Sequence, residues 1–145
     1  MKEDLPNVLV LCTGNSCRSQ LAEGYLRKFL GDKARVFSAG VEKHGVNPMA
    51  VWVMLEDGVD ISKQTSNLVD EYIGIHFSTV ITVCDHANER CPVFPNRADR
   101  IHCNFADPSK LIGTEEEIKS EFRRVRNEIR EFCRKFANSF NPTHL

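Results

Sequence analysis

Short apolar runs alternate with helical patterns along this chain, and that alternation restricts it to a small set of folds. The run Asn7-Val8-Leu9-Val10-Leu11 reads as a strand buried on both faces. A helical pattern follows, with Leu21, Ala22, Tyr25, Leu26 and Phe29 on one face and Gly31 closing it. Arg35-Val36-Phe37-Ser38-Ala39 is a second strand, ended by Gly40. Asn47-Pro48 opens the next helix, with asparagine at the cap and proline in the first turn, and Gly58 ends it. Trp52 lies in this apolar-rich helix and reads as core. Ser66 to Gly74 reads as a weaker helix, Ser78 to Val83 as a third strand and Arg100 to Cys103 as a fourth. Ile118, Phe122, Val125, Ile129, Phe132 and Phe136 recur every three or four residues and make the stripe of a long last helix. The tail from Asn138 to Leu145 reads as loose. Strands alternating with helices predict an α/β fold, a parallel sheet with helices on both faces. The 145 residues suit a single domain, 1–145.

Charge and cysteine content narrow the function. A net charge of -1 provides no global field for nucleic acid or an anionic membrane, so any anion must be held by local geometry. No apolar run is long enough to span a bilayer, and no apolar signal segment follows the charged start. A cytoplasmic protein is expected. Six cysteines in that compartment argue for catalysis, thiol exchange or metal rather than structural disulfides. There is no Cys-x-x-Cys pair, and Cys84, His86, Cys91, His102 and Cys103 make only a poor zinc set. No metal and no cofactor is expected, and no dinucleotide site is visible.

In α/β sheets ligands bind beyond the carboxyl ends of the strands, and three such ends here carry reactive residues. The first is Cys12-Thr13-Gly14-Asn15-Ser16-Cys17-Arg18-Ser19, a Cys-x5-Arg-Ser stretch between strand and helix. Such a turn points backbone N–H groups into one concavity, and the helix adds the positive end of its dipole. Arg18 supplies a planar fork for two oxygens of a tetrahedral anion. Donors that hold a dianion also favour a Cys12 thiolate, and Ser19 is placed to hydrogen-bond the sulfur. The loop thus joins a nucleophile to an oxyanion pocket. Cys17 falls at the helix start and packs inward, adding no chemistry of its own. Cys84 ends the third strand and Cys91 follows, with mostly polar residues between them that suit an exposed, mobile segment. Seven residues of helix rise about 10 Å, whereas a disulfide needs Cα atoms within about 7 Å. The two cysteines can therefore bond only if the segment bends or unwinds. The third end carries Asp107-Pro108, where proline restrains the aspartate to extended backbone.

The stretch Val10 to Gly24 resembles the phosphate loop of the low-molecular-weight tyrosine phosphatase fold. It is closer still to the thioredoxin-coupled arsenate reductases of that fold. Ser38-Ala39-Gly40, His44-Gly45-Val46-Asn47-Pro48, Asp60-Ile61-Ser62 and Phe105-Ala106-Asp107-Pro108 extend the resemblance from Val8 to Phe136. It implies a four-stranded parallel sheet flanked by helices. It also implies arsenate reduction by a relay through Cys12, Cys84 and Cys91, with Asp107 protonating the departing oxygen and thioredoxin as re-reductant. Arsenate would sit on Thr13, Gly14, Asn15, Ser16, Cys17, Arg18 and Ser19, with phosphate and sulfate as competitors. The alternative is a tyrosine phosphatase, which shares Cys12, Arg18 and Asp107 but has no use for Cys84 and Cys91. Phosphatases of this fold usually carry an aromatic residue after Asp-Pro, where Ser109 stands here. Asn15, Glu23, Ser38 and Thr65 match positions around a potassium ion in some related reductases, but Asn67 replaces an aspartate. The reading adopted is a set of hydrogen bonds that stiffens the loop. Phe105, Cys103 and Cys133 read as packing residues.

Overall fold

A computed structural model describes residues 5–92, 94 and 98–141. Strands β1 (Asn7–Cys12), β2 (Arg35–Gly40), β3 (Thr79–Thr82) and β4 (Asp99–His102) form one parallel sheet in the order β2-β1-β3-β4. Val8, Leu9, Val10 and Leu11 are completely buried, as their unbroken apolar run requires of a central strand. Helices α1 (Arg18–Leu30), α2 (Pro48–Glu56), α3 (Asp85–Glu89) and α4 (Glu115–Ser139) flank it. β1 has β2 on one side and β3 on the other. The chain therefore switches direction across the sheet beside the end of β1, which is where such sheets open a crevice.

The helix signals act as their chemistry dictates. Asn47 caps α2 by accepting from the Met49 amide at 2.8 Å. Gly31 ends α1 at φ 54°, its N–H bonded to the Arg27 carbonyl. At the start of α4, Thr114 accepts from the Glu117 amide at 3.1 Å while Glu117 accepts from the Thr114 amide at 2.9 Å. α4 turns Phe122, Val125, Ile129 and Cys133 inward and packs along α1. Each fully buried large apolar side chain there is worth about 1.5–3 kcal/mol relative to exposure.

Three expectations need correction. Trp52 is 38% exposed rather than core. Ala50, Val53 and Met54 take the buried face of α2, which leaves Trp52 outside between Lys119 at 4.8 Å and Arg123 at 5.2 Å. The weak helix between 66 and 74 is only a 3-10 turn at Val69–Tyr72. The chain enters that turn from an extended bridge between Gly40 and Leu68, so no longer helix can start there. The tail is helical through Ser139; residues 142–145 lie outside the described ones. β3 is one residue shorter at each end than expected, and β4 begins and ends one residue earlier. Among the described residues, no helix is long and apolar enough to cross a membrane.

Candidate active site

The loop after β1 is shaped by what its carbonyls do. Val41 donates to the Cys12 carbonyl, Glu42 to Thr13, His44 to Gly14 and Asn47 to Ser16. The Gln20 side chain donates to Asn15, and the Leu21 amide to Cys17. All six carbonyls are thus engaged, four of them by the segment 41–47. In a trans peptide the N–H points opposite the C=O, so the amides between them point away from these partners. Thr13, Gly14, Ser16 and Cys17 of the loop line a cavity of about 300 Å³ with Cys12, Arg18, His44, Asp107, Ser109 and Lys110. Two glycines allow this packing. A Cβ on Gly14 would lie 2.5 Å from the His44 ring, and one on Gly40 would strike backbone atoms of Thr13, Asn15 and Glu42.

Asn15 occupies left-handed backbone at φ 48°, and its side chain anchors that turn. Its amide donates to Ser19 at 2.8 Å and Ser38 at 2.9 Å, while its oxygen accepts from the Asn67 amide at 2.6 Å. Ser38 donates to Glu23 at 2.6 Å, and Arg27 closes the set on Glu23 at 2.7 Å. Thr65 donates to the Asn67 side-chain oxygen at 2.8 Å. The five residues considered for a cation therefore bond to one another and to Arg27. Among the described residues, no group of three or more histidine, cysteine or acidic side chains is placed to hold a metal ion.

Cys12, Arg18 and Asp107 line this cavity, and Cys84 adjoins it through Thr13. Cys12 Sγ lies 2.8 Å from Ser19 Oγ. Cys84 Sγ lies 3.2 Å from Thr13 Oγ1 and accepts from the Ala87 amide at 3.4 Å. Arg18 donates to the Phe105 carbonyl at 3.0 Å and approaches Asp107 at 3.6 Å. Asp107 is extended, as a residue before proline should be, and accepts from Ser109 Oγ at 2.6 Å. Phe105 packs edge-on against Phe132. Cys91 stands apart, half-buried, beyond α3. The polar stretch between Cys84 and Cys91 is thus wound as a short helix, and all six cysteines are free. The carbonyl-binding segment 41–47, with His44 at the cavity wall, escaped the residue-level reading. Its only sequence signal was the His44-Gly45-Val46-Asn47-Pro48 motif.

The thiols differ in environment. Burial, aided by the Asp107 and Cys12 charges, pushes Cys17 far above the usual thiol range, and Arg18 opposes this only weakly. Burial also raises Cys91, against the pull of Arg100. At neutral pH, iodoacetamide should therefore modify Cys12 before Cys17, and arsenate, phosphate or sulfate should protect Cys12. Equal labelling of both, indifferent to oxyanions, would remove Cys12 from the role of nucleophile.

Residues 7–144 match the family described as low molecular weight phosphotyrosine protein phosphatase. An arsenate reductase of Halalkalibacterium halodurans is 50% identical over 132 residues, 91% of this chain and 95% of that one. A solved arsenate reductase in the phosphate-binding state superposes with TM-score 0.75 at 30% identity, covering 94% of this chain and all of that one. The tyrosine phosphatase AmsI of Erwinia amylovora shares the fold, with TM-score 0.78 at 20% identity and 94% of each chain covered. With Cys12, Arg18 and Asp107 gathered at one cavity, the chain belongs to the low molecular weight phosphotyrosine protein phosphatase family, beside relatives named arsenate reductase.

Proposed function

We propose that the protein reduces arsenate to arsenite through Cys12, Cys84 and Cys91 and is re-reduced by thioredoxin in the cytoplasm. The observation that carries this reading is the second thiol at the anion loop: Cys84 rests on Thr13, one residue from Cys12. A phosphatase has no use for it. The relatives named arsenate reductase support the same substrate.

Arsenate binds to the loop from Thr13 to Ser19, including the Cys17 backbone, and to Arg18. The Cys12 thiolate attacks arsenic, and one hydroxyl leaves as water with a proton from Asp107. Cys84 then attacks the Cys12 sulfur. The sulfur–arsenic bond breaks with its electron pair on arsenic, which departs as arsenite, leaving a Cys12–Cys84 disulfide. Cys91 attacks Cys84 and frees the Cys12 thiolate. The Cys84–Cys91 disulfide takes two electrons from the thioredoxin dithiol. Cys84 and Cys91 flank the wound α3, so this helix must open in every cycle.

The test is arsenite formation with thioredoxin, thioredoxin reductase and NADPH, with glutathione and glutaredoxin as the control. NADPH serves the coupling enzyme alone. Arsenite should accumulate with thioredoxin and stop without it. Hydrolysis of aryl phosphates needing no thiol, together with no arsenite under any reductant, would make the chain a tyrosine phosphatase instead.

A further inference from the structure

His102 takes no part in the chemistry above, yet both of its ring nitrogens are engaged. Nδ1 lies 2.7 Å from Thr82 Oγ1, and Nε2 lies 2.7 Å from Asp85 Oδ1. A carboxylate oxygen only accepts, so Nε2 carries the proton and donates to Asp85. Asp85 is the first residue of α3, directly after Cys84. Its backbone amide donates to Asn104 Oδ1 at 3.0 Å, which holds the same turn to the chain beyond β4. The Thr82 hydroxyl also lies 3.4 Å from Asn88 Oδ1, near the other end of α3. His102 and Asn88 further line a cavity of about 120 Å³ together with Cys91 and Arg100. One imidazole therefore touches the first turn of α3 and borders the space beside Cys91.

α3 is short, and Cys84 Sγ caps it by accepting from the Ala87 amide. Five residues are far too few for a helix to stand alone in water. At its ends the Asn88 amide donates to the Cys84 carbonyl and the Arg90 amide to the His86 carbonyl, both at 3.1 Å. Contacts from outside must supply the rest: Ala87 is fully buried where α3 packs on β1 and β3, and the polar contacts at its first turn come from Thr82, His102 and Asn104.

We propose that His102 and Asp85 are positioning residues for the thiol relay: their hydrogen-bonded pair clasps the first turn of α3 to β4, keeps Cys84 and Cys91 apart, and opens when the two bond. The purpose of the clasp rests on the relay proposed above. Its existence is testable without arsenate.

The experiment uses the full chain with Cys12→Ser, so that Cys12 cannot compete for Cys84. Diamide serves as oxidant, accepting two electrons and two protons as the Cys84 and Cys91 thiols become a disulfide. Mass spectrometry follows that disulfide, and hydrogen exchange follows the Asn88 and Arg90 amides. His102→Ala and Asp85→Ala should each speed both processes about threefold to tenfold, the worth of a modest hydrogen bond. The double variant should go no faster than the quicker single one, because the two side chains form one contact. His102→Gln, which keeps an N–H donor, should stay nearer the parent. Unchanged α3 exchange, additive single effects, or acceleration spread equally into the β1 amides would each overturn the clasp. Faster α3 exchange with no Cys84–Cys91 disulfide in any variant would instead sink the relay and leave the clasp standing.

Discussion

Cys91→Ser given arsenate and no reductant is expected to release about one arsenite per chain and then stop as a Cys12–Cys84 disulfide. The first two steps need only Cys12 and Cys84, and neither depends on Cys91. The third step is then missing, and the product disulfide lies where an external dithiol cannot reach it. Cys12 and Cys84 are only 2% and 3% exposed, whereas Cys91 is partly open to solvent. Adding thioredoxin should therefore fail to restore turnover. Cys84→Ser should halt one step earlier, with arsenic still on Cys12 and no arsenite released. Cys103→Ser and Cys133→Ser should turn over nearly normally. Cys133 is fully buried against the Ala22 carbonyl, and neither it nor Cys103 lines the anion cavity or the space beside Cys91. The measurements are single-turnover arsenite release and disulfide mapping of the stalled protein. Many turnovers by Cys91→Ser with thioredoxin would replace the three-cysteine relay by a two-cysteine one, with Cys84 meeting the reductant directly.

The fold and the site were legible in the sequence to different depths, for physical reasons. The strand Val8 to Leu11 was legible because burial on both faces demands an unbroken apolar run. The stripe of α4 was legible because one buried face imposes helical spacing. In α2 the five residues from Val51 to Leu55 are all apolar, so periodicity cannot tell which of them faces inward. Trp52 went outward because Lys119 and Arg123, far along the chain, offer its ring two cations. Cys12, Arg18 and Ser19 could be read as a unit because strand, turn and helix are contiguous. That Cys84 touches Thr13 could not, since it depends on β3 pairing beside β1, and alternation of elements leaves strand order open. Family resemblance implied a four-stranded parallel sheet, and the structure supplies its order, β2-β1-β3-β4. The engagement of the loop carbonyls was likewise invisible, because segment 41–47 supplies backbone donors, and a backbone N–H leaves no mark in side-chain identity.

Arg18→Lys should lower kcat/KM for arsenate about a hundredfold to a thousandfold, the usual cost of removing one oriented donor at an oxyanion. Arg18 is already held in place before any anion arrives. One guanidinium nitrogen donates to the Phe105 carbonyl at 3.0 Å, and another stands 3.6 Å from Asp107. The side chain is thereby fixed at the cavity wall, with little freedom left to lose on binding. A lysine ammonium carries the same charge on a single nitrogen. It can stay with Phe105 and Asp107 or move to the anion, but it cannot span both with a planar fork. Asp107, relieved of its partner, loses the contact that holds it over the loop, although Ser109 still binds its other oxygen. Both effects should appear together in steady-state assays: KM rises because two-oxygen recognition is gone, and kcat falls because the proton donor is less well placed. Sulfate and phosphate should also become weaker competitors, since they use the same fork. If Arg18→Lys kept near-normal turnover and near-normal inhibition by sulfate, the cavity bounded by Cys12, Arg18 and Asp107 would not be the site of arsenate chemistry.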